Sequence, residues 1–335
     1  MRDPAPQLGH LTYSELRLKD NLLDENPNVI QFQSKFGCFQ LHEPPTTNIG
    51  TLSRLPLELL QQVLYQLDIA TIVDFRRVNR QAFTILDSVP AYHAIAKHAR
   101  NALCGIIAID TGKWITCGTL YKKLSTPECE ICGDFGGYLY LLTCKRVCFL
   151  CLSENPQFLP LRISHACRKF GLSSKIVNKL PCIRVIPGTY SPNGKKVARC
   201  ILVDYESARI AGITAHGSIS AMTRFVSELQ TQKDKKYNAR KAAVRSLGDC
   251  STHIRRPPAL DPHDALSGNP FRFGAIARVA CLDIATRELE HGFHCLGCKR
   301  AKRLPLHYRR KFVVASFKDH LAQYGGIKNG EHHLN

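Results

Sequence analysis

Residues 53–83 read SRLPLELLQQVLYQLDIATIVDFRRVNRQAF and predict a run of short helices. Pro56 suits the first turn of a helix, because it has no N–H to lose there and its φ is already helical. Apolar side chains from Leu59 to Leu67 recur at i, i+1, i+4, i+5 and i+8, which is one face of a 3.6-residue period. A unit of this size cannot bury its own apolar residues. The pattern therefore predicts a helix that docks on another surface.

Two further helices follow in the same stretch. Asp68 or Thr71 is suited to cap the second helix, and Asn79 is suited to cap a third that ends before Pro90. The apolar face of the second helix consists of Ile72, Phe75 and Val78. On periodicity alone, the alternative is a helical hairpin in the core of a larger domain, since most amphipathic helices are core elements.

The order of residues favours docking. The pattern Leu-Pro-x-Glu-Leu-Leu-x-x-Val-Leu-x-x-Leu, followed by Ile-x-x-Phe-x-x-Val-Asn-Arg, resembles the F-box, a three-helix module that binds the Skp-type adaptor of cullin–RING ubiquitin ligases. The resemblance implies insertion of closely spaced apolar side chains into a groove of the adaptor. The adaptor-binding residues expected from it are Leu55, Pro56, Leu59, Leu60, Val63, Leu64, Leu67, Ile72, Phe75 and Val78.

Composition limits the class of protein. The 335 residues are 44% apolar, which is ordinary for a globular chain. No apolar run approaches the roughly 20 residues that span a bilayer, and the first residues lack a secretory pattern. We therefore expect a soluble intracellular protein of the cytoplasm, the nucleus or both. The net charge of +19 fits a nucleic-acid or acidic partner, or simply a solvated basic exterior.

The chain divides by composition into six parts, which together predict an α+β protein: a three-helix module, then a zinc-stabilised mixed region with long disordered loops. The parts are a flexible segment 1–50, the F-box-like module 51–90, a helical connector with a cysteine cluster and β-hairpin 91–230, a disordered basic linker 231–270, a second Cys/His knuckle with a basic helix 271–324, and a tail 325–335.

The first cysteine cluster has metal-ligand spacing. Cys129 and Cys132 form one Cys-x-x-Cys pair, and Cys148 and Cys151 form another after 15 intervening residues. Four thiolates on two such knuckles suit tetrahedral zinc, and intracellular pairs of this kind indicate metal rather than disulfides. Cys144 is a fifth thiol in the cluster, and it could replace Cys148, serve a second metal or be a buried thiol.

A second site is predicted around Cys295 and Cys298, with His320 as a third ligand on the following helix. The fourth ligand stays open between Cys144, His291, His294 and His307. The alternative for this pair is an exposed redox-sensitive dithiol.

The overall layout resembles a group of zinc-containing F-box proteins common in filamentous fungi. The resemblance rests on the module, the first cluster, the Pro-Gly-Thr-Tyr motif at 187–190 and Gly-Phe-His-Cys-x-Gly-Cys at 292–298. Proteins of that group usually end the second site with His-x-x-x-Cys, and Tyr324 stands where that cysteine would be.

No catalytic motif is present in the sequence. A zinc deaminase needs His-x-Glu before its cysteine pair, and neither pair has it. We therefore expect a non-enzymatic substrate receptor of a cullin–RING (SCF-type) ligase, with structural zinc and an unknown target protein. The alternative is a basic zinc-dependent nucleic-acid-binding protein, supported by a Lys/Arg run at 233–245 and by a cluster beside the second knuckle: Lys299, Arg300, Lys302, Arg303, Arg309, Arg310 and Lys311.

Overall fold

A computed structural model of the protein describes residues 8–14, 19–35, 48–246, 254–258, 260, 268–299 and 306–333. The helices are α1 Pro27–Lys35, α2 Leu57–Gln66, α3 Ile69–Arg76, α4 Arg80–Ser88, α5 Pro90–His98, α6 Arg100–Ala108, α7 Cys117–Ser125, α8 Phe149–Glu154, α9 Ile163–Phe170, α10 Ser174–Val177, α11 Tyr205–His216, α12 Ile219–Ser246, α13 Pro270–Phe273 and α14 Val314–Tyr324. The strands are β1 Thr12–Tyr13, β2 Tyr138–Tyr140, β3 Lys145–Val147, β4 Leu161–Arg162, β5 Cys182–Arg184, β6 Gly188–Tyr190, β7 Lys195–Val197, β8 Ile201–Val203, β9 Ile276–Arg278, β10 Cys281–Leu282, β11 Leu289–Glu290, β12 His294–Cys295, β13 Gly326–Lys328 and β14 Glu331–His333. The fold is α+β, as predicted. Among the described helices, none combines the length and apolar character that a bilayer crossing requires.

Helices α2, α3 and α4 form the F-box-like module predicted at 51–90. The Asp68 carboxylate accepts the Thr71 N–H at 3.0 Å and caps α3, and the Asn79 side chain accepts the Ala82 N–H at 2.8 Å and caps α4. Both predicted caps are confirmed. Each satisfies one of the backbone donors left open at the start of a helix.

These three helices pack on their own chain. Leu60, Leu64 and Ile72 are buried in the main core, together with side chains of α5, α6 and α7. Backbone bonds join the two parts as well, from Ile69 N–H to the Ile115 carbonyl at 2.9 Å and from Cys117 N–H to the Leu67 carbonyl at 3.0 Å. One side of the module is therefore core, and only its other side is free to dock.

The prediction of a flexible segment at 1–50 is wrong for residues 19–35. Leu22, Leu23 and Val29 have no exposed surface and belong to the main core, where α1 lies against α6. The strand β1 pairs antiparallel with β12, so Thr12 lies opposite Cys295. Elements this short show no hydrophobic periodicity, so the sequence gives no sign that they are buried. They are buried because distant parts of the chain pack over them.

A small central sheet joins distant parts of the sequence. Its strand order is β3-β2-β9, with Tyr138 opposite both Val147 and Arg278. Because β2 ends at Tyr140 and β9 begins only at Ile276, this pairing brings the C-terminal third of the chain against the first cysteine cluster.

The β-hairpin predicted within 91–230 lies between Cys182 and Val203 and consists of two nested antiparallel pairs. β5 pairs with β8, and β6 pairs with β7 inside that loop. The outer pair is extended by β4 on the far side of β8. A separate small core forms beside this sheet from side chains of α9, α11 and α12, including Phe170, Ala208 and Met222.

The prediction of disorder over 231–270 is wrong for residues 231–246, which continue helix α12. Met222 and Val226 anchor the first half of the helix against the body of the protein. The second half is rich in Lys, Arg and Ala, which are good helix formers. The Gln230 amide also donates to Asp234 one turn later, at 3.2 Å. The rest of the predicted linker lies outside the described residues, apart from 254–258, 260 and 268–270.

A buried ion pair ties the N-terminal segment to the C-terminal region. The Arg309 guanidinium donates to the Asp20 carboxylate, and both side chains are 3% exposed. Asp20→Ala is expected to lower the free energy of unfolding by about 3–5 kcal/mol, because it leaves a buried guanidinium without its counter-charge. Urea denaturation measures this cost.

The control for that measurement is Asp74→Ala. Asp74 pairs with Arg77 at 4.0 Å, but these side chains are 80% and 65% exposed. Its removal should cost less than about 1 kcal/mol. Equal costs for the two variants would contradict a structural role for the buried pair.

Candidate metal centres and docking face

The first cysteine cluster assembles where the β2–β3 hairpin folds back. Cys129 and Cys132 precede β2, Cys148 is the N-cap residue of α8, and Cys151 lies in that helix. The four Sγ atoms all lie within 4.8 Å of one another, and those of Cys132 and Cys148 are 3.6 Å apart. A tetrahedral zinc with Zn–S distances of about 2.3 Å needs S···S separations of about 3.8 Å. The geometry therefore fits a four-thiolate zinc.

Local backbone geometry holds the first knuckle. Gly133 has φ of +79°, a left-handed conformation that glycine adopts without strain, and its N–H donates to the Cys129 carbonyl at 2.9 Å. On the second knuckle, the Cys151 N–H donates to the Cys148 Sγ at 3.4 Å, which orients that sulfur toward the cluster.

Cys144 lies outside both clusters and is a buried thiol. It is 1% exposed within the main core, in the turn between β2 and β3, where it adopts φ of +53°. Burial raises its pKa to about 12, so it is a protonated thiol at neutral pH. Of the three roles that the sequence left open, the buried thiol is the one that the structure supports.

The second cluster gathers four ligands from three elements and a turn. Cys295 comes from β12, Cys298 from the turn after it, His320 from α14 and His332 from β14. The His332 Nε2 lies 3.2 Å from the Cys295 Sγ, 3.4 Å from the Cys298 Sγ and 3.2 Å from the His320 Nε2. Tetrahedral zinc bound by two sulfurs and two nitrogens needs edges of about 3.3–3.8 Å. This donor set and its spacing fit zinc.

His332 is the ligand that sequence reasoning missed, because residues 325–335 read as a tail. The missed signal is Asn329-Gly330, a dipeptide typical of a tight hairpin. Asn329 has φ of +53° and Gly330 has φ of +80°, and the β13–β14 hairpin around them returns His332 to the cluster. The His332 Nδ1 lies 3.0 Å from the Gly325 carbonyl, which leaves Nε2 to face the metal position.

None of the four residues proposed from the sequence as the fourth ligand belongs to the second cluster that the structure describes. His307 comes nearest: its Nδ1 lies 3.3 Å from the Cys298 Sγ, where it can donate to a metal-bound thiolate. The His294 Nδ1 lies 3.0 Å from the Arg310 carbonyl, and its ring stacks on Tyr13. His291 and Cys144 do not belong to the described cluster. The ring of Tyr324 packs 4.8 Å from that of His320.

One hydrogen bond between thiols polarises each cluster, between the two knuckles of the first cluster and within the knuckle of the second. A bond from Cys148 lowers the pKa of Cys129 to about 5, and a bond from Cys298 lowers the pKa of Cys295 to about 4. The same bonds raise the pKa of Cys148 and Cys298. The lowered pKa favours the thiolate form of Cys129 in the first cluster and of Cys295 in the second. The thiolate is the form of cysteine that binds metal.

The two clusters are joined through consecutive arginines. The Arg310 guanidinium donates to Asp134 of the first knuckle at 2.5 Å. The Arg309 guanidinium lies 3.7 Å above the ring of Phe149, the residue after Cys148. Lys311 is also engaged within the chain, since its Nζ donates to the His291 carbonyl at 2.8 Å and burial lowers its pKa to about 8.

The sequence suggested that the basic cluster at 299–311 binds nucleic acid, but three of its members make contacts within the chain instead. Arg309, Arg310 and Lys311 hold the chain together and are not available to a ligand. The Lys299 Nζ lies 5.0 Å from the ring of Tyr13. The remaining members, Arg300, Lys302 and Arg303, lie outside the described residues.

The structure divides the ten predicted adaptor-binding side chains into groups by exposure. Leu60, Leu64 and Ile72 are at most 3% exposed, so they serve the core and cannot reach a partner in this conformation. Leu67 and Phe75 are half-buried. The exposed members are Leu55, Pro56, Leu59, Val63 and Val78.

Three of the exposed residues form what we call the docking face: Leu55, Leu59 and Val63. They are 40%, 48% and 46% exposed. Leu59 and Val63 stand four residues apart in α2 and therefore lie on one side of the helix, and Leu55 lies in the extended backbone just before it. Leu57 is 48% exposed at the start of the same helix, and Val78 is 68% exposed between α3 and α4. Apolar side chains concentrated in this way on a surface mark an interaction site.

Comparison with known families identifies this segment. The sequence model of the F-box domain family matches residues 52–93, which contain α2, α3 and α4 and reach into α5. The match does not extend to the two metal-ligand clusters. No curated protein and no solved structure matches the chain.

Proposed function

Because residues 52–93 of this chain are an F-box domain, we propose that the protein is a substrate receptor of an SCF-type cullin–RING ubiquitin ligase. The observation that carries the proposal is the docking face, which leaves Leu55, Leu59 and Val63 exposed within the family match. The other side of the same helix is buried in the core. Leu59 and Val63 are therefore the members of the docking face on α2 that are free to contact a partner. Its role is binding, with the chemistry of ubiquitin transfer done by other subunits.

Physical chemistry favours an apolar groove as the partner of this face. Side chains spaced four residues apart along a helix suit helix-in-groove recognition. Each large apolar side chain that leaves water on docking contributes roughly 1.5–3 kcal/mol before the cost of association. Three such residues, with Leu57 beside them, can supply the hydrophobic centre of an interface.

The test is co-purification of the full chain with a Skp-type adaptor at defined stoichiometry. We expect a one-to-one complex on size-exclusion chromatography. Failure of the folded, zinc-loaded protein to bind any Skp-type adaptor would overturn the proposal and leave residues 52–93 as a core element alone.

We further propose that both clusters bind zinc and that the zinc is structural. Each cluster supplies four protein ligands, which are four cysteines in the first and two cysteines with two histidines in the second. A closed set of four leaves no position for substrate. Such sites contribute folding energy, and here they would stabilise the region after the F-box that presents a target protein.

A comparison of two histidines tests the second site. His332→Ala removes a ligand and should lower the zinc content by one equivalent per chain. His307→Ala removes only a neighbour of the Cys298 sulfur, so the chain should keep two zinc ions, with the affinity of the second site lowered by about 10–100-fold. Metal analysis and a competition titration with a chromogenic chelator measure both. Loss of zinc in the His307 variant, with none in the His332 variant, would show that the ligand set is wrong.

A further inference from the structure

The second half of α12 is a strongly basic, exposed helix, which we call the basic arm and define as residues 231–246. It contains a single acidic residue, Asp234. The six basic residues are all exposed: Lys233, Lys235, Lys236, Arg240, Lys241 and Arg245. The segment is therefore the densest run of exposed cations on a regular element within the described residues.

Within the part of the chain that the structure describes, the charges of the basic arm are not used in ion pairs. None of the six cations belongs to an ion pair among the described residues. Asp234 instead accepts from the Gln230 amide at 3.2 Å, and Lys241 lies 6.0 Å from the ring of Tyr237. This differs from the arginines beside the second cluster, which hold the chain together. A run of cations without internal ion pairs has its charge available to a ligand.

The positions of the cations follow from the way the helix is anchored. Met222, Val226 and Leu229 lie on the side of α12 that contacts the body in its first half. At 100° per residue, the same side in the second half carries Lys236 and Arg240. The same side of the helix is therefore apolar in the first half and cationic in the second half. A ligand on this cationic side would lie alongside the body of the protein.

The chemistry of the basic arm selects its partner. From Lys233 to Arg245 the helix rises about 18 Å at 1.5 Å per residue. A nucleic-acid duplex presents one phosphate charge per about 1.7 Å of its axis, or about ten charges over that length. The arm has no large aliphatic side chain other than Val244, so it lacks the anchors that an apolar groove or a bilayer surface requires.

We propose that the basic arm binds the phosphate backbone of a nucleic-acid duplex, independently of the F-box. The protein would then bring a ubiquitin ligase to targets held on nucleic acid, a consequence that rests on the proposed function. Contacts of this kind are made by charge alone, so the binding should depend strongly on salt and little on sequence.

The test uses the full, zinc-loaded chain and fluorescence anisotropy with two 20-bp probes, one of DNA and one of RNA with the same sequence. If four of the six cations contact phosphate, log K should fall against log salt with a slope of about −3.6, or about 10²-fold between 50 and 200 mM KCl. A preference for one probe identifies which nucleic acid is the ligand.

Two triple variants with the same change of charge separate the arm from the overall charge. K236E/R240E/K241E should lower the slope to about −1 and abolish measurable binding at 200 mM KCl. K195E/K196E/R199E changes exposed residues on and beside β7 and should bind as the wild type does. Circular dichroism should show both variants folded, because all six positions are exposed and glutamate is a good helix former.

Three outcomes would overturn the proposal. The first is no binding to either duplex at 50 mM KCl. The second is an equal loss in both triple variants, which would assign binding to the net charge of +19. The third is tighter binding to vesicles containing 30% phosphatidylserine than to either duplex, which would assign the arm to a membrane surface. Each is measured separately from adaptor binding, so the F-box proposal stands or falls on its own experiment.

Discussion

The double variant Leu59→Asp/Val63→Asp is expected to lose binding to a Skp-type adaptor by at least about 10³-fold while the free protein stays folded. In the free chain these positions are 48% and 46% exposed, so the new carboxylates remain in water. In a complex they would be buried against apolar groups, at a cost of at least about 2 kcal/mol each. Two such costs correspond to about three powers of ten in affinity. Isothermal titration calorimetry with purified adaptor measures the change.

The control for this experiment places two carboxylates at equally exposed apolar positions elsewhere. Ile210 on α11 and Ile219 on α12 are 52% and 56% exposed, and neither belongs to the F-box. Ile210→Asp/Ile219→Asp should bind the adaptor as the wild type does. Wild-type affinity in the Leu59/Val63 variant would show that the docking face is not the interface.

A third variant separates docking from folding. Leu60 is adjacent to Leu59 but only 3% exposed, and it belongs to the main core. Leu60→Asp should therefore unfold the protein, and Leu60→Ala should lower the free energy of unfolding by about 2–5 kcal/mol. Thermal unfolding followed by circular dichroism distinguishes this result from the loss of binding expected at Leu59 and Val63.

Cys148→Ser is expected to release one zinc ion and to remove the cooperative unfolding transition of the main core. Cys148 is 3% exposed and belongs both to the first cluster and to that core. Structural zinc contributes about 10–16 kcal/mol to the folding of small zinc domains, which is as large as the whole stability of a typical domain. Zinc content by metal analysis and a thermal scan should therefore change together, with either no cooperative transition or a fall in Tm of more than about 10 °C.

The matched control is Cys144→Ala. Cys144 is as deeply buried as Cys148 but stands outside both clusters, so its variant should keep two zinc ions and a cooperative transition. Two bound zinc ions and an unchanged Tm in Cys148→Ser would contradict a zinc site at the first cluster.

The second cluster should respond to the loss of the first. Arg310 donates to Asp134 beside Cys132, and Arg309 lies over Phe149 beside Cys148. Disorder of the first knuckle removes both supports from the segment that carries the second. In Cys148→Ser we therefore expect the remaining zinc to exchange faster with a chelator than it does in the wild type.

The features that the sequence predicts well depend on residues that are close together in the chain. The two Cys-x-x-Cys pairs of the first cluster lie on either side of one hairpin, and the structure brings all four sulfurs together. The caps at Asp68 and Asn79 depend only on a backbone donor three residues away. Interactions over such short spans are fixed by chain geometry, and a sequence pattern therefore records them.

Partners that come from far along the chain were not visible in the sequence. His332 completes the second cluster only because a hairpin after α14 folds back on it, and a histidine in an apparent tail gives no periodic signal. Residues 19–35 looked flexible for the same reason, since their burial depends on α6 and β9. The helical second half of α12 was missed because its charged composition is also that of a disordered linker.

The F-box, the α+β class and, apart from His332, the residues that meet in the two Cys/His clusters were predictable from the sequence. Which of the apolar side chains on α2 face the core and which face water depends on the tertiary packing. Periodicity identifies the apolar face of a helix, but it does not show how much of that face the core covers. When the face is wider than the core can cover, the rest of it stays exposed. Here the core that α2 shares with α7 encloses Leu60 and Leu64 and leaves Leu59 and Val63 exposed.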